Sequence, residues 1–112
     1  MNLKIGYVGL THLGINYAIA SAIKGFDVVC YDEDISLVKD LTNKKIPFFE
    51  KNTKKYLIKK FNKFKFNNNL IDLKKCDLIF ISPDVPTNSK GKSDLSKIKN
   101  LIKKIIKIIN IK

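Results

Sequence analysis

The sequence predicts an α/β domain with a parallel, doubly wound sheet. Three observations predict it. Short β-rich runs at 3–9, 27–31 and 77–81 alternate with segments of helical periodicity, and such alternation requires crossover connections that lay helices over a parallel sheet. A glycine-bearing turn, GLTHLG at 9–14, follows the first run and opens a helix. An acidic cluster, DED at 32–34, closes the second run. The sheet is expected to be incomplete, with about four strands in the order 3-2-1-4. With 112 residues, 45% of them hydrophobic, the chain is one domain able to bury a core.

Each element has its own signal. LKIGYVG at 3–9 is a short buried strand. GINYAIASAIK at 14–24 is a helix, because Ile15, Ala18, Ile19, Ala22 and Ile23 recur on one helical face. Gly25 stands where such a helix is capped. DVVCY at 27–31 is the second strand, and 35–42 is a short helix. KKIPFFEKN breaks periodicity around a proline and reads as a loop. A lysine-rich helix is expected over 53–62, with Tyr56 and Phe61 turned inward, then an edge strand at 64–66. A helical turn follows the asparagine run. DLIFI at 77–81 is the clearest strand, SPDVPTNSKGKSD a long polar loop, and 94–108 the last helix. Ile98, Leu101, Ile102, Ile105 and Ile109 form its apolar stripe, expected to pack on the sheet.

The formal charge is +12, and every basic residue is lysine. Arginine is the usual bidentate partner of guanine and phosphate, so its absence argues against sequence-specific reading of nucleic acid. Lysine, isoleucine and asparagine share A/T-rich codons, which accounts for the excess without a polyanionic partner. Cys30 and Cys76 form no C-x-x-C pair and read as small buried hydrophobes. No apolar run reaches the ~18 residues of a membrane span. No signal peptide is evident, and a cytosolic protein is expected.

Two constraints set the register of the opening turn. A dinucleotide loop of the form G-x-G-x-x-G needs a strand before it and a helix after it. Placing Gly6 and Gly9 at its end leaves only three residues for that strand, whereas Gly9 to Gly14 leaves a proper strand and leads into the small-residue helix. The second constraint is an acid about 20 residues on, which bonds the adenosine ribose hydroxyls. Asp32 lies 23 residues after Gly9 and 18 after Gly14. The loop is therefore G-x-T-x-x-G, a Rossmann-type signature with Thr11 in the middle-glycine place. Gly9 permits the turn, Gly14 permits close helix packing, and the helix start offers N–H groups to a pyrophosphate. Thr11 adds a Cβ that crowds the phosphates, with a hydroxyl able to bond one. Asp32 favours NAD over NADP.

Several blocks together resemble the NAD-binding domain of the UDP-glucose/GDP-mannose dehydrogenase family. KIGYVGLTHLG is similar to that family's K-I-x-V-x-G-L-G-Y-V-G, and VVCYDED to its V-x-G-x-D-x-D. KKIPFFEKNTKKYL looks like its G-x-x-P-x-x-E-P-G-L-x-x-L. CDLIFISPDVPTNSKGKSDLSKI looks like A-D-V-I-F-I-A-V-G-T-P-T-x-x-x-G-x-x-D-L-S, the most specific block. The chain departs from these patterns at Thr11, at Leu37 (usually lysine), at Val85 (usually threonine) and at EKN in place of E-P-G.

The resemblance implies NAD as cofactor, with Gly9, Leu10, Thr11, His12, Leu13, Gly14, Asp32 and Val85 as cofactor-binding positions. It places His12 on the surface beside the cofactor and not in catalysis. It implies a full enzyme, homodimeric, that oxidises the C6 alcohol of a UDP- or GDP-sugar to a carboxylate in two hydride transfers. The nucleophilic thiol and the sugar-nucleotide pocket of that family lie in later domains. Residues 1–112 are therefore expected to be the N-terminal part of the NAD-binding domain, lacking the catalytic and sugar-nucleotide domains, with no catalytic residue and no metal. The alternatives are a non-catalytic binding module or remnant, and a basic nucleic-acid-binding protein.

Overall fold

The structure, a computed structural model, describes residues 3–48, 50, 52–83, 91 and 95–110. Four strands form one parallel sheet: β1 (Lys4–Val8), β2 (Asp27–Tyr31), β3 (Phe64–Asn67) and β4 (Leu78–Ile81), in the order β3-β2-β1-β4. The helices are α1 (His12–Ile23), α2 (Ile35–Thr42), α3 (Thr53–Lys59) and α4 (Ser96–Ile109), with short 3-10 turns at Phe61–Lys63 and Leu70–Lys75. The predicted strand order is the observed one.

Strand alternation divides the core into two layers, because successive side chains leave a strand on opposite faces. Ile5, Tyr7, Val28 and Cys30 face one layer with Leu41 of α2, Leu57 of α3 and the buried side of α1. Val8 and Val29 face the other, against Leu70, Leu73 and Ile105 of α4. Both faces are covered, as the near-continuous apolar runs of β1 and β2 require. Phe64 and Phe66 of β3 stack at 5.3 Å on the first layer, where Tyr56 and Phe61 also pack. Asp77 sets the register of β4: its N–H donates to the Lys4 carbonyl at 2.7 Å, and its carboxylate accepts from the Lys4 N–H at 2.8 Å.

The helix bounds differ from expectation in places with a physical cause. Helix α1 begins at His12, two residues early, because the Thr11 side chain caps it. It ends as expected: the N–H groups of Gly25 and Phe26 bond back to the carbonyls of Ala22 and Ser21. Ile15, Ala18, Ile19 and Ala22 are buried, but Ile23 is 43% exposed, since eight residues carry it about 80° around the helix from Ile15. Helix α3 stops at Lys59, where Lys60 leaves helical dihedrals and the chain tightens into a 3-10 turn. The apolar stripe of α4 contacts the core along Leu101, Ile105 and Ile108, while Ile98 and Ile102 are half-buried. Ile109 is 45% exposed; it lies on the flank turned from that row, so the stripe is centred differently from the one expected. Most of the polar loop after Pro83 falls outside the described residues.

Leu41 is fully buried and Ile35 is 65% exposed on the same helix. Leu41→Ala is expected to lower unfolding free energy by about 2–5 kcal/mol, and Ile35→Ala by no more than about 0.5 kcal/mol. Urea unfolding of both variants checks the assignment of α2's inner face.

Candidate functional site

The carboxyl ends of β1, β2 and β4 come together beside the start of α1. In open parallel sheets this end, next to the strand where the order reverses, is where ligands bind. The turn out of β1 depends on Gly9. Its φ is +95°, and a Cβ there would lie 2.5 Å from the Pro83 nitrogen, so a side chain is excluded by both strain and contact. Gly14 is needed for proximity: a Cβ would meet the Gly9 carbonyl oxygen at 2.3 Å.

Three side chains hold the turn. Asp32 uses both carboxylate oxygens: Oδ2 accepts from the Leu10 N–H at 2.8 Å and Oδ1 from the Asp34 N–H at 2.9 Å. Thr11 Oγ1 accepts from the Gly14 N–H at 3.2 Å and donates to the Ser82 carbonyl at 3.0 Å. Ser82 Oγ donates to the Gly9 carbonyl at 3.1 Å. The Thr11 hydroxyl, expected to be available to a phosphate, is thus engaged as a helix cap and a cross-chain bond.

A cleft of about 540 Å³ opens over this turn, with Asp32, Leu37, Pro83 and α4 among its walls. Glu33 and Lys97 form an ion pair, and both line the cleft. The bond to Glu33 raises the pKa of Lys97. Burial, followed by the charges of Glu33 and Asp32, raises that of Tyr31, so its phenol keeps its proton.

Each site residue expected from the sequence can be placed. Gly9, Leu10, Thr11 and Asp32 line the cleft. Leu10 is 2% exposed and its N–H is bonded to Asp32, so it shapes the turn from beneath. His12 and Leu13 are the first two residues of α1, and both are exposed; such positions have N–H groups without intrahelical acceptors. Gly14 lies under the turn. Val85 falls outside the described residues. His12 Nε2 lies 3.5 Å from Glu50, and its ring is 4.1 Å from that of Phe48. Thr53 Oγ1 donates to Glu50 at 2.7 Å. Among the described residues no three His, Cys, Asp or Glu gather as a metal site. Burial pushes the Cys30 thiol far up and that of Cys76 to about 11, so both stay protonated.

Sequence reasoning missed Ser82, Lys97, Asn100 and Lys104. Ser82 had a usable signal, since it follows the last residue of β4 at the ligand end of the sheet. The α4 residues had none, because their approach to Asp32 is set by tertiary packing.

The model of the UDP-glucose/GDP-mannose dehydrogenase family, NAD binding domain, matches residues 3–112. The chain belongs to that family. As an NAD-binding domain of the family, it is 27% identical over 111 residues to the UDP-glucose 6-dehydrogenase of Rickettsia typhi, covering 96% of this chain and 26% of that protein. Among solved structures, GDP-mannose dehydrogenase from Pseudomonas aeruginosa superposes with a TM-score of 0.92 at 20% identity, over 98% of this chain and 26% of that one. A UDP-glucose dehydrogenase from Pyrobaculum islandicum gives 0.87 at 21%, over 94% and 25%. The chain spans about a quarter of the length of these relatives. No helix among the described residues is long and apolar enough to cross a membrane.

Two predictions follow from this geometry. Gly14→Ala is expected to destabilise the chain by about 1–3 kcal/mol, as overpacking does, measured by urea unfolding. Glu50 has a lowered pKa, first through the Thr53 hydroxyl, then through Asn16 and His12. Its carboxyl should titrate below 4.5 by NMR, and Thr53→Val should move it back up. The stabilisation it adds is present above 4.5 and lost as pH falls through the lower folded-state midpoint.

Proposed function

We propose that this chain supplies the adenosine and pyrophosphate half of the cofactor site in a nucleotide-sugar 6-dehydrogenase. The observation that carries this reading is the Asp32 carboxylate, 2.8 Å from the Leu10 N–H beneath a turn whose glycines leave bare backbone. Each carboxylate oxygen has two acceptor positions, so Asp32 can hold the loop and still accept from ribose hydroxyls. A Cβ on Gly9 would collide with the backbone of Ser82 and Pro83; its absence lets the turn pack against the end of β4 at the edge of the cleft. His12 and Leu13 would offer their N–H groups, and the positive end of α1, to the pyrophosphate. Leu37 and the α4 wall of the cleft would flank the adenine. Val85 is assigned to the same site on the family resemblance alone.

Bound NAD supplies the hydride acceptor for oxidation of the sugar C6 alcohol in such an enzyme. The residues here bind and orient, and we assign none of them to proton transfer. We read residues 1–112 as the N-terminal part of the NAD-binding domain. The sugar-nucleotide pocket, the catalytic thiol and a homodimer interface would belong to other parts of the full-length protein. Support for a continuing sheet comes from β4, an edge strand whose Leu78 and Phe80 are 51% and 44% exposed.

Affinity for NAD is expected to be low, because Thr11 brings its Cβ and an engaged hydroxyl to the phosphate position. Calorimetric titration of NAD into the wild type, Asp32→Ala and Thr11→Gly tests this. A hydrogen bond to a charged group contributes about 1.5–3 kcal/mol, so Asp32→Ala should weaken binding by a hundredfold or more, on the order of 3 kcal/mol. Thr11→Gly removes the crowding Cβ together with the hydroxyl bonded to Ser82 and to the Gly14 N–H, two opposed effects that should leave affinity within about threefold of wild type. Equal affinity in all three proteins would place NAD elsewhere.

A further inference from the structure

Among the described residues Ser82 makes three polar contacts, all with residues 8–11. Its N–H donates to the Val8 carbonyl at 2.7 Å, its hydroxyl donates to the Gly9 carbonyl at 3.1 Å, and its carbonyl accepts from Thr11 Oγ1 at 3.0 Å. The first contact continues the β1–β4 ladder. The other two form a clasp around the turn, with one side-chain bond running in each direction. The clasp extends to the helix, because Thr11 Oγ1 also accepts from the Gly14 N–H at 3.2 Å. Gly14 fits against it: a Cβ there would lie 2.9 Å from Ser82 Oγ. Pro83, the next residue, fills the space beside Gly9, its nitrogen 2.5 Å from where a Gly9 Cβ would stand.

We propose that Ser82 is a positioning residue for the phosphate-binding turn, acting through Gly9 and Thr11 to fix the start of α1 at the cleft. This inference rests on the NAD reading of the cleft. A dinucleotide loop ordinarily carries glycine at its middle position, where no side-chain bond to the neighbouring strand is possible. Here the middle residue is Thr11, and its hydroxyl is held by the backbone of β4's last turn-out residue. Geometry that packing of bare backbone would otherwise set is set here by two hydroxyls. Asp32 meets the turn at the Leu10 N–H and is also anchored outside it by the Asp34 N–H. The clasp therefore controls the pyrophosphate part of the site and leaves the ribose part alone.

This separation gives the test. ADP and adenosine both present the ribose hydroxyls, and only ADP presents a pyrophosphate. Both are titrated by amide NMR shifts into wild type, Ser82→Ala and Ser82→Thr. Ser82→Ala should weaken ADP about threefold to tenfold, the loss of one net hydrogen bond, and change adenosine by less than about twofold. Ser82→Thr, which keeps the hydroxyl, should stay near wild type. In the ligand-free chain, Ser82→Ala should speed hydrogen exchange at the Gly14 amide and leave Ala18 in mid-helix unchanged. Thr11→Val, which keeps the volume and removes the hydroxyl, should do the same. Equal weakening of ADP and adenosine would overturn the proposal, and so would an unchanged ADP affinity. If the wild type binds neither ligand, the NAD reading fails by itself; unchanged Gly14 exchange in both variants then overturns the role of Ser82, and faster exchange supports it.

Discussion

Asp32 accepts hydrogen bonds from the Leu10 and Asp34 amides, so a carboxylate at the end of β2 fixes both the turn after β1 and the approach to α2. Much else at the carboxyl end of the sheet depends on that arrangement. The Gly9 N–H donates to the Tyr31 carbonyl at 3.0 Å, so the turn is stitched to β2 by backbone as well. On its other side Ser82 and Thr11 stitch it to β4. A turn with positive φ and no side chain at its apex is held from both neighbouring strands, and α1 starts where those bonds leave it. Hydrogen bonds to a charged acceptor are stronger than neutral ones, which makes the Asp32 side of this arrangement the stiffer.

The charge pattern follows from the layers. Lys54, Lys55 and Lys59 are exposed on α3, over one face of the sheet, and Lys103, Lys104 and Lys107 are exposed on α4, over the other. Among the described residues lysines thus stand over both faces of the sheet. The cleft carries both signs, with Asp32 and Glu33 facing Lys97 and Lys104. The Glu33–Lys97 pair is exposed at 63% and 61%, and such pairs contribute little to stability. Its importance lies in its place, joining the end of β2 to α4 beside the cleft.

Much of this was legible in the sequence because the signals are local. The strands were readable as short apolar runs, and the parallel order from their alternation with helices. The register of the opening turn came from Gly9, Gly14 and the spacing to Asp32. What was not legible depends on distant partners. Thr11 in a glycine place reads as an obstruction until Ser82, 71 residues away, is seen to accept its hydroxyl. On α4 the row that packs inward, Leu101, Ile105 and Ile108, meets Leu70 and Leu73, and the helix's own periodicity does not show that Ile109 falls outside that row. The premature end of α3 has the same origin, since Phe61 is drawn onto the first core layer. Leu10 could be read as part of the loop, but not that the residue would be buried with its N–H taken by Asp32.

The central claim is that the turn from Gly9 to Gly14 and the acid at Asp32 form one binding surface for NAD. Its most direct test is a titration of NAD into the isotopically labelled chain, followed by the backbone amide spectrum. Saturable shifts are expected at Leu10, His12, Leu13, Gly14 and Asp32 to Asp34, with the amides of α3 and of the Leu70–Lys75 turn unmoved. Shifts concentrated on α3 or on that turn, with the Gly9–Gly14 amides silent, would contradict it.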